Sequence, residues 1–134
     1  MKIPQGTTIA IVDGEQLNLF NNGGTEAAPK LTALPDVAIS TENMGSGGRH
    51  QSSSANPSDS QQDEDSFAAG TADMLNKRVL SGKIASLIVV AAPRTLGELR
   101  KHYHKSLSAI LVGEIAKDLT GHSVADVEKI IEAA

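Results

Sequence analysis

The sequence predicts an α/β domain built on a mixed five-stranded sheet of order 3-2-1-4-5, with helices on both faces. Three observations lead there. Three short strand-like segments precede any helical pattern. A continuous apolar run, Ile84 to Ala92, has the length and content of a strand buried on both faces of a parallel sheet. Helical periodicities flank that run and return at the end of the chain. Three meandering strands followed by α-β-α-β-α crossover units give three layers.

The first strand is Thr7-Thr8-Ile9-Ala10-Ile11-Val12, β-branched and apolar. Asp13-Gly14 supplies a turn dipeptide of the positive-φ kind found in tight hairpins. Gln16 to Phe20 alternates polar and apolar, as a half-buried strand does. Asn21-Asn22-Gly23-Gly24 signals a second turn. Residues 30–39 form a weaker strand that Pro35 interrupts, which favours an edge or a bulge.

Residues 41–65 are dominated by Ser, Gln, Asn, Asp and Gly and read as a long disordered loop, because they bury too little apolar surface to offset ordering. A helix is expected from Ser66 to Ser81, with Phe67, Ala68, Ala72, Leu75 and Val79 on one face. Asp63, Glu64 and Asp65 suit its positive end, Lys77 and Arg78 its negative end, and Gly82 stops it. After the buried strand, Thr95-Leu96-Gly97-Glu98 matches a capping box that starts a helix lined by Leu96, Leu99 and Tyr103. Ser108 to Ile115 reads as the fifth strand. Ser123-Val124-Ala125-Asp126 caps a last helix striped by Val124, Val127, Ile130 and Ile131.

At 134 residues and 40% apolar content, the chain has room for one domain, 1–134, since domains take roughly 100–200 residues. It contains no cysteine, which removes disulfides, thiolate zinc sites and cysteine nucleophiles. The start of the chain lacks the apolar run of a secretory signal, and no stretch reaches membrane-spanning length, so a cytoplasmic location and no membrane partner are expected.

The net charge of −4 is divided unevenly, with −6 on residues 1–65 and +2 on residues 66–134. An acidic whole argues against a broad nonspecific nucleic-acid surface, and no DNA partner is expected. The local exception is Arg94 to Lys105, where Arg94, Arg100, Lys101 and Lys105 face Glu98 alone. That segment is either a solvated helix face or a docking patch for an anionic partner. Base-stacking platforms need exposed aromatics, and Phe20, Phe67 and Tyr103 are all the chain has.

Two stretches carry a resemblance. Ala91-Ala92-Pro93-Arg94-Thr95-Leu96-Gly97-Glu98-Leu99-Arg100 and Val112-Gly113-Glu114-Ile115-Ala116-Lys117-Asp118-Leu119-Thr120 resemble the bacterial proteins described as required for attachment to host cells. Those proteins are similar in turn to the middle domain of archaeal and eukaryotic peptide-chain release factors. Val12-Asp13-Gly14, Gly47-Gly48-Arg49-His50 and Phe67-Ala68 also fit. The resemblance covers nearly the whole chain and implies the ribonuclease H-like layout of the release-factor middle domain. It implies a non-enzymatic interaction or adaptor protein with an indirect role in host attachment and an unidentified protein partner. Alternatively, it implies a translation-linked module that meets the ribosome or tRNA through a glycine-rich loop. The release-factor domain carries a Gly-Gly-Gln tip. Here Gly47-Gly48 is followed by Arg49, with Gln51 two places beyond, so that pattern is not intact.

Residue chemistry supports no enzyme. A ribonuclease H-like nuclease needs a carboxylate cluster for two metal ions. Asp13 could belong to one, but Ala92-Pro93-Arg94 stands where the acid after the fourth strand belongs. His102 and His104 are spaced to diverge on a helix, and His50 and His122 are distant, so no zinc set converges. Ser52-Ser53-Ser54 lie near His50 without the fixed geometry that nucleophilic catalysis needs. No cofactor is expected. A third reading is a sensor of a small anionic ligand or nucleotide at Arg94-Thr95, where a buried strand ends and a helix begins. Thr95 acting only as a helix cap competes with it. Lys117-Asp118 should share that edge, and an Asp118–Arg94 ion pair is expected. The tentative binding set is thus Gly47, Gly48, Arg49, His50, Arg94, Thr95, Arg100, Lys117 and Asp118.

Overall fold

The computed structural model describes residues 1–39 and 59–134. Strands β1 (Thr8–Val12), β2 (Leu17–Asn22) and β3 (Leu31–Ala33) come first, followed by helix α1 (Asp59–Leu80). Strand β4 (Leu87–Ala91) leads into helices α2 (Pro93–Arg100) and α3 (Lys105–Ile110), then strand β5 (Leu111–Ile115) and helix α4 (Val124–Ala133). The sheet order is β3-β2-β1-β4-β5, as expected. β1 and β2 are antiparallel, as are β2 and β3, while β1, β4 and β5 run parallel.

Alternation of side chains across the sheet divides the core into two. Ala10, Val12, Val89 and Ala91 face α1, α2 and α3, meeting Ala72, Leu75, Leu96, Leu99 and Leu107. Ile9, Ile11, Ile88 and Val90 face the other way, onto Ile3 and the Val127 and Ile131 stripe of α4. β1 and β4 read as unbroken apolar runs because helices cover both of their sides; every residue of either strand is buried. Full burial of one such Ile or Val side chain stabilises by about 1.5–3 kcal/mol.

The two sheet edges are finished differently. Outside β3, the Leu31 N–H donates to Glu128 Oε2 of α4 at 2.8 Å, which occupies an edge donor. In β5, the register slips between Leu87 and Ile88, leaving Val112 as an unpaired bulge residue.

Buried Asn22 ties the start of the chain to the β2–β3 connection. Its Nδ2 donates to the Ile3 carbonyl at 2.9 Å, and its Oδ1 accepts from the Gly24 and Lys30 N–H groups, each at 2.9 Å. The expected turn at Asn21-Asn22 is therefore the end of β2.

Several boundaries differ from the sequence expectation, each for a local reason. The 41–65 loop is too long, because α1 already begins at Asp59; residues 40–58 lie outside the described residues. Asp59 to Asp65 has no apolar stripe, yet its acids sit at the positive end of the helix. The Asp13-Gly14 turn has no positive φ at Gly14; instead Asp13 Oδ1 accepts from the Glu15 N–H at 2.7 Å and from the Gln16 N–H. A Cβ at Gly14 would lie 2.6 Å from Glu64 Cγ, so the Glu64 side chain would have to move to admit one. Gly82 does stop α1, with φ at +81°.

Thr95 is not a cap. α2 starts three residues earlier, with Ala92 as N-cap and Pro93, whose φ is preset, in the first turn. It ends at Arg100, so Tyr103 lies in the link to α3. The expected Ser108–Ile115 strand is helical over its first three residues: α3, started by His104 Nδ1 accepting the Ser106 N–H at 3.0 Å, runs through Ile110, and β5 begins at Leu111. Ser123 caps α4 as expected, accepting from the Asp126 N–H.

Candidate functional site at the carboxyl edge of the sheet

β1, β4 and β5 run parallel, so Val12, Ala91 and Ile115 end on one edge. Asp13-Gly14, Ala92-Pro93-Arg94-Thr95 and Ala116-Lys117-Asp118 follow them there. This is where open α/β sheets bind ligands. The first turns of α1 reach the same edge: Glu64 lies over Gly14, and Asp65 Oδ1 stands 4.0 Å from Arg94 Nη2.

Arg94 therefore pairs with Asp65, not with Asp118. The expected Asp118–Arg94 pair is corrected by two contacts, because Asp118 Oδ1 is taken by Thr120, accepting its hydroxyl at 2.6 Å and its N–H at 3.1 Å. Those two hydrogen bonds hold the Asp118 carboxyl below its ordinary pKa. Both partners of the Arg94–Asp65 pair are well solvated, with side-chain exposures of 64% and 37%, so the pair orients more than it stabilises. Thr95 is half-buried in the first turn of α2, where N–H groups lack helical acceptors. Lys117 is exposed and has no ion-pair partner among the described residues.

Arg100 belongs elsewhere. It lies at the far end of α2 and grips Glu114 of β5 in a fork, with Nε at 3.0 Å and Nη2 at 2.7 Å from Oε1. Tyr103 Oη donates to Glu114 Oε2 at 3.4 Å. Burial first, then the Glu114 charge, pushes the Tyr103 phenol well above its ordinary pKa. This trio fastens the α2–α3 link to the edge strand and is a structural tie.

The basic segment Arg94 to Lys105 is largely neutralised within the fold. Arg94 meets Asp65, Arg100 meets Glu114, and Lys101 and His102 both meet Glu98, at 2.8 and 3.8 Å. Of its lysines and arginines, Lys105 alone has no ion pair among the described residues. His104 is spent on the α3 cap. No group of three or more His, Asp or Glu among the described residues is arranged to hold a metal ion. Gly47, Gly48, Arg49 and His50 lie outside the described residues. The structure thus brings Arg94 and Thr95 to one edge with Lys117 and Asp118, and sends Arg100 to another place. Sequence reasoning missed Glu64 and Asp65 as site residues because it placed them in a loop. Their charge at a helix start was the signal available.

Among the described residues, no helix is long and apolar enough to cross a membrane. Comparison with curated proteins finds no match. A family profile described as bacterial archaeo-eukaryotic release factor family 12 matches residues 6–131, which takes in the sheet, α1 to α3 and most of α4. The match supports the release-factor side of the resemblance and carries no host-attachment name. A profile that spans the fold from β1 into the last helix makes this chain a member of bacterial archaeo-eukaryotic release factor family 12.

Proposed function

We propose that this chain is a translation-linked module that docks on the ribosome or on tRNA and does not itself hydrolyse peptidyl-tRNA. Family membership over residues 6–131 carries the reading. Arg49 after Gly47-Gly48 supports the second half, because the Gly-Gly-Gln tip that the release-factor resemblance implies is not intact. The carboxyl edge also offers no fixed catalytic set among the described residues. The Asp13 carboxylate is spent on its own turn, Asp118 on Thr120, and Arg94 stands beside Asp65. Catalysis needs its groups held in convergent geometry.

The test uses ribosomes carrying peptidyl-tRNA, with binding and peptide release measured together. The chain should bind without releasing peptide. Replacing Gly47, Gly48, Arg49 and His50 by alanine should weaken binding. Release of peptide by the purified chain would overturn the non-hydrolytic half. Binding indifferent to the alanine variant would remove the loop from the interface. A chain that binds neither ribosome nor tRNA would leave the adaptor role, with a protein partner and an indirect part in host attachment, or the anion sensor at Arg94-Thr95.

A further inference from the structure

A cleft of about 380 Å³ lies between the later turns of α1, the segment after β3 at Ala38 and the residues following α1, away from the carboxyl edge. Gly70, Met74 and Ala38 form its apolar part, and Lys77, Arg78 and Lys83 its cations. Asp73 is the acid within it, and Lys77 Nζ lies 3.1 Å from its carboxylate. Arg78 and Lys83 have no ion-pair partner among the described residues.

That matters in a chain of net charge −4 whose basic segment at Arg94 to Lys105 is mostly paired internally. The other lysines without an ion pair among the described residues, Lys30, Lys105, Lys117 and Lys129, stand singly, on the β2–β3 connection, α3, the β5–α4 connection and α4. The cleft brings two uncommitted cations, Arg78 and Lys83, together where the rest of the fold disperses them. Lys77 and Arg78 also suit the negative end of a helix, but that accounts for neither Lys83 nor the concavity. The terminal carbonyls are already satisfied: the Arg78 carbonyl accepts from the Lys83 N–H at 2.8 Å, and the Lys77 carbonyl from the Ser81 N–H at 2.9 Å. They do not compete for the cations.

We infer that this cleft is a docking site for the phosphate backbone of an RNA strand, engaging Arg78, Lys83 and Lys77. Lys77 and Arg78 are neighbours in the last turn of α1 and Lys83 follows its end, so the cations gather at one end of the cleft. Two unpaired cations beside Lys77 in one open cleft suit the closely spaced negative charge of a phosphate backbone. The inference deepens the translation-linked reading and depends on it only for where the RNA comes from.

The test is binding of a labelled RNA hairpin to the purified chain across a salt series. Wild type is compared with Arg78→Glu/Lys83→Glu, with the milder Arg78→Gln/Lys83→Gln, and with Lys129→Glu on α4 as control. Each phosphate engaged adds about 0.7 to 0.9 to the slope of log affinity against log salt, from single strand to duplex. Both cleft variants should lose about two from that slope and bind roughly tenfold or more weakly at low salt. Lys129→Glu should change little. Near-wild-type thermal midpoints establish that the variants are folded. An unchanged slope in both cleft variants, no RNA binding by the wild type, or equal competition from a polyglutamate peptide would overturn the inference. If the cleft variants lose the hairpin but ribosomes never bind the wild type, the cleft stands and the translation-linked reading falls. If ribosome binding is intact in both variants and the hairpin is not lost, the reverse holds.

Discussion

Replacing Asn22 by Ala should be among the costliest single changes in this fold. The side chain is fully buried and makes three hydrogen bonds of 2.9 Å, to the Ile3 carbonyl and from the Gly24 and Lys30 N–H groups. Each such bond contributes about 1 kcal/mol net, and each partner left buried and unpaired costs about 1–3 kcal/mol more. Water entering the vacated space recovers part of that second cost. We therefore expect a loss of about 3–5 kcal/mol, a large share of the roughly 5–15 kcal/mol that holds a domain folded. The assay is urea unfolding followed by the fluorescence of Tyr103, the sole tyrosine in a chain without tryptophan. The midpoint should fall without a change of slope. Asn21→Ala is the matched control, because Asn21 donates only to the Gly6 carbonyl at an exposed site; it should cost less than about 1 kcal/mol. An Asn22→Ala variant within about 1 kcal/mol of wild type would refute the claim that this side chain pins the start of the chain to the sheet.

Other expectations follow from the same contacts. Thr71 is buried with its hydroxyl unpartnered among the described residues, so Thr71→Val should stabilise by about 1 kcal/mol in thermal or urea unfolding; a clear loss of stability would show that the hydroxyl has a partner. The raised pKa of Tyr103 means that the folded state binds its proton more tightly than the unfolded state. Its contribution is fully present below the unfolded value near pH 10 and is lost as pH rises above it. Tyrosinate absorbance should appear in the folded chain only at higher pH than in the unfolded one, and coincident titrations would count against burial of the phenol. Gly14→Ala should cost about 1 kcal/mol through the clash with Glu64, and Glu64→Ala should relieve it in a double-mutant cycle. Additive effects would mean that the two do not meet.

Much of the architecture was legible in the sequence because the signals are local. β1 and β4 declare double-sided burial by their unbroken apolar runs, Gly82 marks the end of α1, and Ser123 marks the start of α4. The errors fall where a signal is unusual or tertiary. The first residues of α1 offer charge without an apolar stripe, so composition alone reads them as loop. α3 is a six-residue helix capped by a histidine ring nitrogen, a less common substitute for Ser, Thr, Asp or Asn. Pro93 was visible as a helix starter but lost to the capping pattern at Thr95. Partner choice is less readable still. The sequence shows Arg94 near Asp118 in the expected topology, but only the packing of α1 beside α2 delivers Asp65 to it. The family resemblance extended beyond residue chemistry, and the profile match supports its release-factor half.

The central claim is that this release-factor relative works at the ribosome. Its most direct test is co-sedimentation of the purified, unmodified chain with ribosomes over a salt series. The account predicts that the chain pellets with ribosomes at low salt and is released as salt rises, because phosphate contacts are screened and exchanged for counterions. A chain that stays in the supernatant at every salt concentration contradicts it.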